Sequence, residues 1–234
     1  MGQSDLLDQL ICEGQQRLNP AITNPNWLVL RERRKVFIKW LSQVPVVPLS
    51  VLDVGGRIQP YRPLLEGRLG RYVAVDIRST PLVDIVALGE QLPLRDGFFD
   101  LVICTQVLEY VEEPRKVIGE IHRVLKPGGF LLLSVPAIFP VDSEYDRWRF
   151  LPSGLCSLLA SFQRVEVHAE GSSIDGLFRT VAVWIASFAK PRLFNRLLRW
   201  TLIPVLNLVG SSIASAVGSS NEQFAANFSA LAVK

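Results

Sequence analysis

The sequence predicts a doubly wound, mostly parallel Rossmann-like α/β sheet with helices on both faces. Two observations carry this. Short β-rich apolar runs recur at residues 51–54 (VLDV), 72–77 (YVAVDI), 83–88 (VDIVAL), 99–105 (FDLVICT) and 130–136 (FLLLSVP). Runs apolar at consecutive positions suit strands covered on either side. Helical stretches separate them, the clearest being EEPRKVIGEIHRVL at 112–125. Strands alternating with crossovers imply parallel pairing of right-handed connection.

The elements follow in order. Residues 1–49 read as an N-terminal helical segment, with Trp27, Leu28, Leu30, Val36, Phe37, Trp40 and Leu41 at helical spacing. Arg31, Arg33, Arg34 and Lys35 interleave with them and read as a solvated face. VPVVPLS breaks the helix and leads into the core, residues 50–171. In the 112–125 helix Pro114 fits the first turn, Val117, Ile118, Ile121 and Leu125 form one face, and Pro127-Gly128-Gly129 stops it. Residues 137–152 are irregular, a helix is expected over 153–161, and a strand over 164–171. Residues 172–234 read as an apolar helical cap that ends in a closing strand at 228–234.

A chain of 234 residues is long enough for one large domain, or one with a small appendage. A net charge of +3 is too small to imply a nucleic-acid partner, and none is expected. Cys12, Cys104 and Cys156 are odd in number and far apart, so neither a disulfide framework nor a metal site is expected. The acidic start MGQSDLLDQLICEG lacks the basic end and apolar run of a signal peptide, and Leu6 stands where a myristoylation motif needs Ser or Thr. A cytoplasmic location is the expectation.

Open parallel sheets bind ligands beyond the carboxyl ends of their strands, where strand order reverses. Three segments converge there. VLDVGGRIQPY at 51–61 offers an acidic strand end followed by glycines that admit a ligand close to the backbone, with a helix start expected behind it. Asp76 ends the next strand, 23 positions after Asp53, where a carboxylate can accept hydrogen bonds from both ribose hydroxyls. The third segment, LGEQLPLRDGFFDLVICTQVLEYVEEP at 88–114, is followed by LKPGGFLLLSVP.

Taken together, the acidic-glycine turn, the acidic second-strand tip, LPLRDGFFDLV, VLEY and RVLKPGG resemble the class I S-adenosylmethionine-dependent methyltransferases, over about residues 50–165. EYDRWRFLPSGL also resembles a segment of members linked to bacterial cell-surface saccharide pathways. The resemblance implies S-adenosylmethionine as cofactor. Asp53, Gly55 and Gly56 would line its methionine-carboxylate and ribose side, and Asp76 would bind the ribose hydroxyls. Ile77 would pack on the adenine, Glu90 would edge it, and Thr105 and Gln106 would lie near the methionine amino group. In the glycine turn, Arg57 and Gln59 replace two family glycines. Arg57 either pairs with the cofactor carboxylate or closes the site. Leu88 replaces the aspartate near the adenine amino group, and Tyr110 the histidine of LEH.

Acceptor-side candidates are Tyr110, Tyr145, Asp146, Arg147, Trp148 and Arg149. For the DRWRF stretch the alternative is a structural plug, with Trp148 and Phe150 in the core and Arg149 paired to a carboxylate. His122 reads as structural and His168 as solvated, so no catalytic base is assigned. The expected function is methyl transfer to a small-molecule or saccharide-type acceptor. The alternative is a non-catalytic methyltransferase-like scaffold or partner-binding module. A nicotinamide oxidoreductase would need a G-x-G-x-x-G turn, which is absent.

Residues 200–221 contain no charge, and Arg192, Arg196 and Arg199 precede them at helical spacing. Pro204, Asn207 and Gly210 make a poor transmembrane helix. Segment 190–221 therefore reads either as a cap or homodimer surface, or as a basic amphipathic helix in peripheral contact with the inner membrane face.

Overall fold

The computed structural model describes residues 3–44, 48–188, 197–218 and 221–234. Seven strands form one mixed sheet in the order β3-β2-β1-β4-β5-β7-β6. The strands are β1 (Leu49–Val54), β2 (Leu69–Asp76), β3 (Ile85–Val86), β4 (Phe99–Thr105), β5 (Leu125–Pro136), β6 (Arg164–Ala169) and β7 (Asn227–Val233). β1 to β5 pair in parallel, while β7 runs antiparallel to both β5 and β6. The doubly wound, Rossmann-like arrangement expected from the sequence is therefore present. From β1 the chain adds β2 and β3 on one side and then crosses to β4 on the other, so strand order reverses between β1 and β4.

The apolar runs divide by the two-residue period of a strand. In β4, Val102 and Cys104 face a core shared with Val117, Ile118, Ile121 and Val124 of α3 (Pro114–Val124) and Leu155 of α4 (Pro152–Leu158). Leu101 and Ile103 face the opposite core, built with Val36, Phe37, Trp40 and Leu41 of α2 (Trp27–Leu41). Burial on both faces makes these strands continuously apolar.

Two expectations need correction. No α-helix follows β1: the connection to β2 holds only a 3₁₀ turn, Arg62–Leu65. Pro60 and Pro63 each lack an N–H donor and oppose a longer helix. The face such a helix would cover is filled by α2 instead, so the N-terminal segment belongs to the main core. The second concerns Arg33, read above as part of a solvated face. It is buried, with its guanidinium bridged to Glu170. Strand β3 is also shorter than the run at 83–88, and α3 stops at Val124, with Leu125 onward already in β5.

Helix α1 (Gln3–Leu18) packs on the loop after β1. A Cβ at Gly14 would lie 2.3 Å from the Ile58 carbonyl, so the contact depends on the missing side chain. Helices α5 (Ser173–Phe188) and α6 (Leu202–Val217) pair with each other and lie beside α2. Lys190, Arg192 and Arg196 lie outside the described residues. A Cβ at Gly176 would fall 2.0 Å from the Phe224 carbonyl, a backbone atom held by the entry to β7. Gly176→Ala is expected to cost about 1–3 kcal/mol, from overpacking that only backbone movement relieves. Thermal unfolding checks this, and an unchanged midpoint would show that the loop yields freely.

Candidate functional site

A cavity of about 1400 Å³ opens beyond the carboxyl ends of β1, β2 and β4, at the point of strand reversal. Gly55, Asp76, Ile77, Gly89, Thr105 and Gln106 line one part of it. Gly55 adopts φ +78°, and a Cβ there would sit 2.3 Å from Val107 Cγ2. Only glycine combines that backbone with so close an approach.

The degenerate turn keeps its geometry. Gln59 occupies a family glycine position and has φ +44°, a left-handed conformation unusual for a residue with a Cβ. Its side chain turns away from the cavity, donating to the Leu82 carbonyl at 2.5 Å and accepting from Arg62 Nη1 at 2.8 Å. Arg57 lines the cavity, and its Nη2 pairs with Glu13 Oε1 of α1 at 3.1 Å. The two substitutions thus leave the cavity open, and α1 is tied across one edge by that pair. Glu13, Gln16 and Arg17 of α1 join the lining.

Asp76 Oδ1 accepts from the Arg78 amide at 2.9 Å. No hydrogen bond engages its other oxygen among the described residues. Ile77 and Leu88 are exposed apolar side chains on the cavity wall, suited to the faces of a planar base. Glu90 also lines the cavity, and its Oε1 accepts from the Glu112 amide. These groups fit a nucleoside-bearing sulfonium: a carboxylate for ribose hydroxyls, an apolar slot for the base, and a close-approach turn. Gln106, at φ +55°, donates from Nε2 to Ser134 Oγ at 3.3 Å.

Two of the expected cofactor residues do not line this space. Asp53 is buried behind the turn, where Tyr72 Oη donates to its Oδ2 at 2.6 Å. Burial lifts its pKa to about 7 against the lowering effect of that hydrogen bond, and the Asp76 charge lifts it further. Gly56 lies beneath the turn, where a Cβ would meet Ala74 and Asp53 at 3.0 Å, so it sets packing rather than contact.

The acceptor-side segment folds back on the turn after β4. Arg147 and Trp148 amides both donate to the Glu109 carbonyl, and Trp148 Nε1 donates to the Val111 carbonyl at 2.9 Å. Tyr110, Tyr145, Asp146, Arg147 and Arg149 line the cavity, whereas Trp148 does not. The plug reading is also met only in part. Phe150 is buried and Arg149 pairs with Asp146, but Trp148 is exposed because its indole N–H reaches outward to a loop carbonyl. Tyr110 Oη donates to Asp142 Oδ2 at 2.8 Å. His122 stacks edge-on against Phe162, away from the cavity, and His168 is exposed on β6.

Three buried charged residues missed by sequence reasoning join the wall: Glu109, Arg33 and Arg179. Glu109 is 3% exposed, and its Oε2 has no hydrogen-bond partner among the described residues. Burial raises its pKa to about 7, with Asp146 adding to the rise and Arg33 and Arg17 opposing it. Arg179 of α5 donates to Asn26 Oδ1 and the Ile138 carbonyl and stacks on Phe139. Burial, with repulsion from Arg33, lowers its pKa to about 10. Glu109 stood in plain view within the VLEY motif. Arg33 and Arg179 gave no signal, because their partners are remote in sequence.

Residues 52–133 match the family model described as a methyltransferase domain. The chain is similar to the thiol S-methyltransferase TMT1B of Rattus norvegicus, 46% identical over 66 residues, which make up 28% of this chain and 27% of that protein. The chain thus matches only about a quarter of the length of such curated relatives. Among solved structures, its fold is similar to a putative sarcosine dimethylglycine methyltransferase from Galdieria sulphuraria, with TM-score 0.55, 15% identity and coverage of 88% of each chain. It is similar also to phosphoethanolamine N-methyltransferase 2 of Haemonchus contortus in complex with S-adenosyl-L-methionine, with TM-score 0.55, 14% identity, and coverage of 94% of this chain and 60% of that one. The solved structures share the Rossmann-like fold of this chain, and the match to a methyltransferase-domain model spans residues 52–133, whose strand ends border the cavity at the point of strand reversal.

Proposed function

We propose that the protein transfers a methyl group from S-adenosylmethionine to a hydroxyl-bearing small molecule, with a saccharide-type acceptor as the finer reading. The observation that carries this is Glu109, a buried carboxylate with an unpartnered oxygen on the wall between the cofactor end and the 142–149 segment. The cofactor, when bound, supplies an electrophilic methyl on a sulfonium. The chain's own groups then align and deprotonate the acceptor. Asp76, with the slot of Ile77 and Leu88, would hold the nucleoside end of the cofactor, and Glu109 would accept the proton released by the acceptor hydroxyl as it is methylated. A pKa near 7 suits a base working at neutral pH. Tyr145 and Arg147 offer hydrogen-bonding groups for a polyhydroxylated acceptor, while the Asp146 carboxylate is occupied by Arg149 and holds the segment in place. The saccharide reading rests on the EYDRWRFLPSGL segment that contains them.

Calorimetric titration with S-adenosylmethionine and S-adenosylhomocysteine, with NADH as control, tests the cofactor side. Asp76→Ala is expected to weaken binding about 10- to 100-fold, since it removes a charged acceptor of two hydrogen bonds. Saturable binding with this loss, followed by turnover in an acceptor screen, supports the proposal. No binding to a well-folded sample would point to the non-catalytic scaffold.

A further inference from the structure

We infer that the paired helices α5 and α6 carry a docking surface for an anionic phospholipid bilayer, on which the protein lies without spanning it. On α6 the side chains of Val205, Val209, Ile213 and Val217 are exposed at four-residue spacing, which aligns them as one stripe. Leu202 and Leu208 flank the stripe, and Leu177 and Trp184, seven residues apart on α5, are also exposed. Leu197 and Trp200 extend the apolar surface just before α6, with Trp200 70% exposed. Such a concentration of large apolar side chains in water marks an interaction surface.

Charge names the partner. No Asp or Glu occurs between Asp175 and Glu222, while Arg179, Lys190, Arg192, Arg196 and Arg199 do. Of these, Arg199 is described, lies next to Trp200 and is exposed, whereas Arg179 is buried in the cavity wall. An apolar helical face with exposed tryptophans, in a segment with basic but no acidic residues, fits the interface of an anionic leaflet. A second copy fits less well. A two-fold interface would bring Arg199 of both copies to one apolar patch, in a segment with no carboxylate to pair them.

Spanning is opposed by the other side of α6. The helix from Leu197 to Val217 is long and apolar enough to cross a membrane by length and composition alone. Yet Ile203, Asn207 and Gly210 face inward. Asn207 Nδ2 donates to the Ile22 and Asn24 carbonyls at 2.7 and 3.0 Å, and a Cβ at Gly210 would strike the Phe178 side chain at 2.8 Å. Insertion would break these contacts and bury an amide without partners.

The full chain is to be sedimented with vesicles of phosphatidylcholine alone and with added phosphatidylglycerol. Binding to the anionic vesicles that falls with salt, with a blue shift of tryptophan emission, is the expected result. Trp200→Glu and Val209→Glu should each lower partitioning about tenfold or more by placing a charge on the apolar face, and Arg199→Gln about fivefold. All three positions lie outside the cavity, so calorimetric binding of S-adenosylmethionine should be retained and serves as the check of folding. The inference is overturned if neither vesicle type is bound, or if bound protein resists both high salt and alkaline carbonate, as a spanning helix would. It is overturned equally if sedimentation velocity shows a dimer that Val209→Glu dissociates while vesicles bind nothing.

Discussion

Arg33→Met is expected to cost about 3–5 kcal/mol of folding stability, the range for removing one partner of a buried ion pair. Arg33 Nε donates to both Glu170 carboxylate oxygens at 2.9 Å, and Nη2 lies 2.8 Å from Oε2. Glu170 also accepts from Ser134 Oγ at 2.5 Å and Ser229 Oγ at 2.6 Å, which ties α2, β5, β7 and the end of β6 into one buried network. Removing the guanidinium leaves a buried carboxylate with two hydroxyl donors and only the more distant charge of Arg179. The Arg33→Met, Glu170→Leu double variant should recover much of the loss, since the unpaired charge is then gone. Urea unfolding of the single and double variants measures the coupling. A single-variant cost under about 1 kcal/mol would show that water reaches Glu170.

Glu109→Gln is expected to lower kcat about 10²- to 10³-fold, within the range for loss of a general base, and to abolish a dependence on pH near 7. In the wild type kcat should rise as pH passes through about 7, because the carboxylate must be ionised to accept the proton. The stability effect has the opposite sense. A carboxyl whose folded pKa is raised from the usual 4.5 to about 7 contributes stability below 4.5 and loses it as pH rises through 7. Glu109→Gln should therefore leave stability little changed at pH 5 and increase it at pH 8. An inactive variant with an unaltered pH profile at residual activity would assign Glu109 a structural role only. Asp53, also raised to about 7, follows the same stability trend, so the pH dependence of unfolding should be compared between wild type and variant rather than read from the wild type alone.

Much of the frame is legible in the chain itself. Short doubly apolar runs require cover on both faces, and the amphipathic stretch beginning at Pro114 supplies α3. The closing strand was visible in FSALAVK, which becomes β7. Part of the cavity lining was legible too, since Asp76, Ile77, Thr105 and Gln106 follow from strand ends. What covers each face was not. The sequence suggests a helix after β1, but Pro60 and Pro63 leave only a 3₁₀ turn, and α2 takes its place from far upstream.

The sequence by itself determined the periodic pattern, and with it the parallel sheet, the point of strand reversal and the strand-tip residues that gather there. Those follow from local spacing, since side-chain direction alternates with a fixed period along a strand. Only the tertiary structure decided the charges. Arg33 pairs with Glu170 across 137 positions, Arg179 with Asn26 across 153, and Glu109 is buried by a segment more than thirty residues downstream. Burial and the identity of a distant partner set whether a charge is solvated, paired or reactive, and neither is encoded in the spacing around the residue.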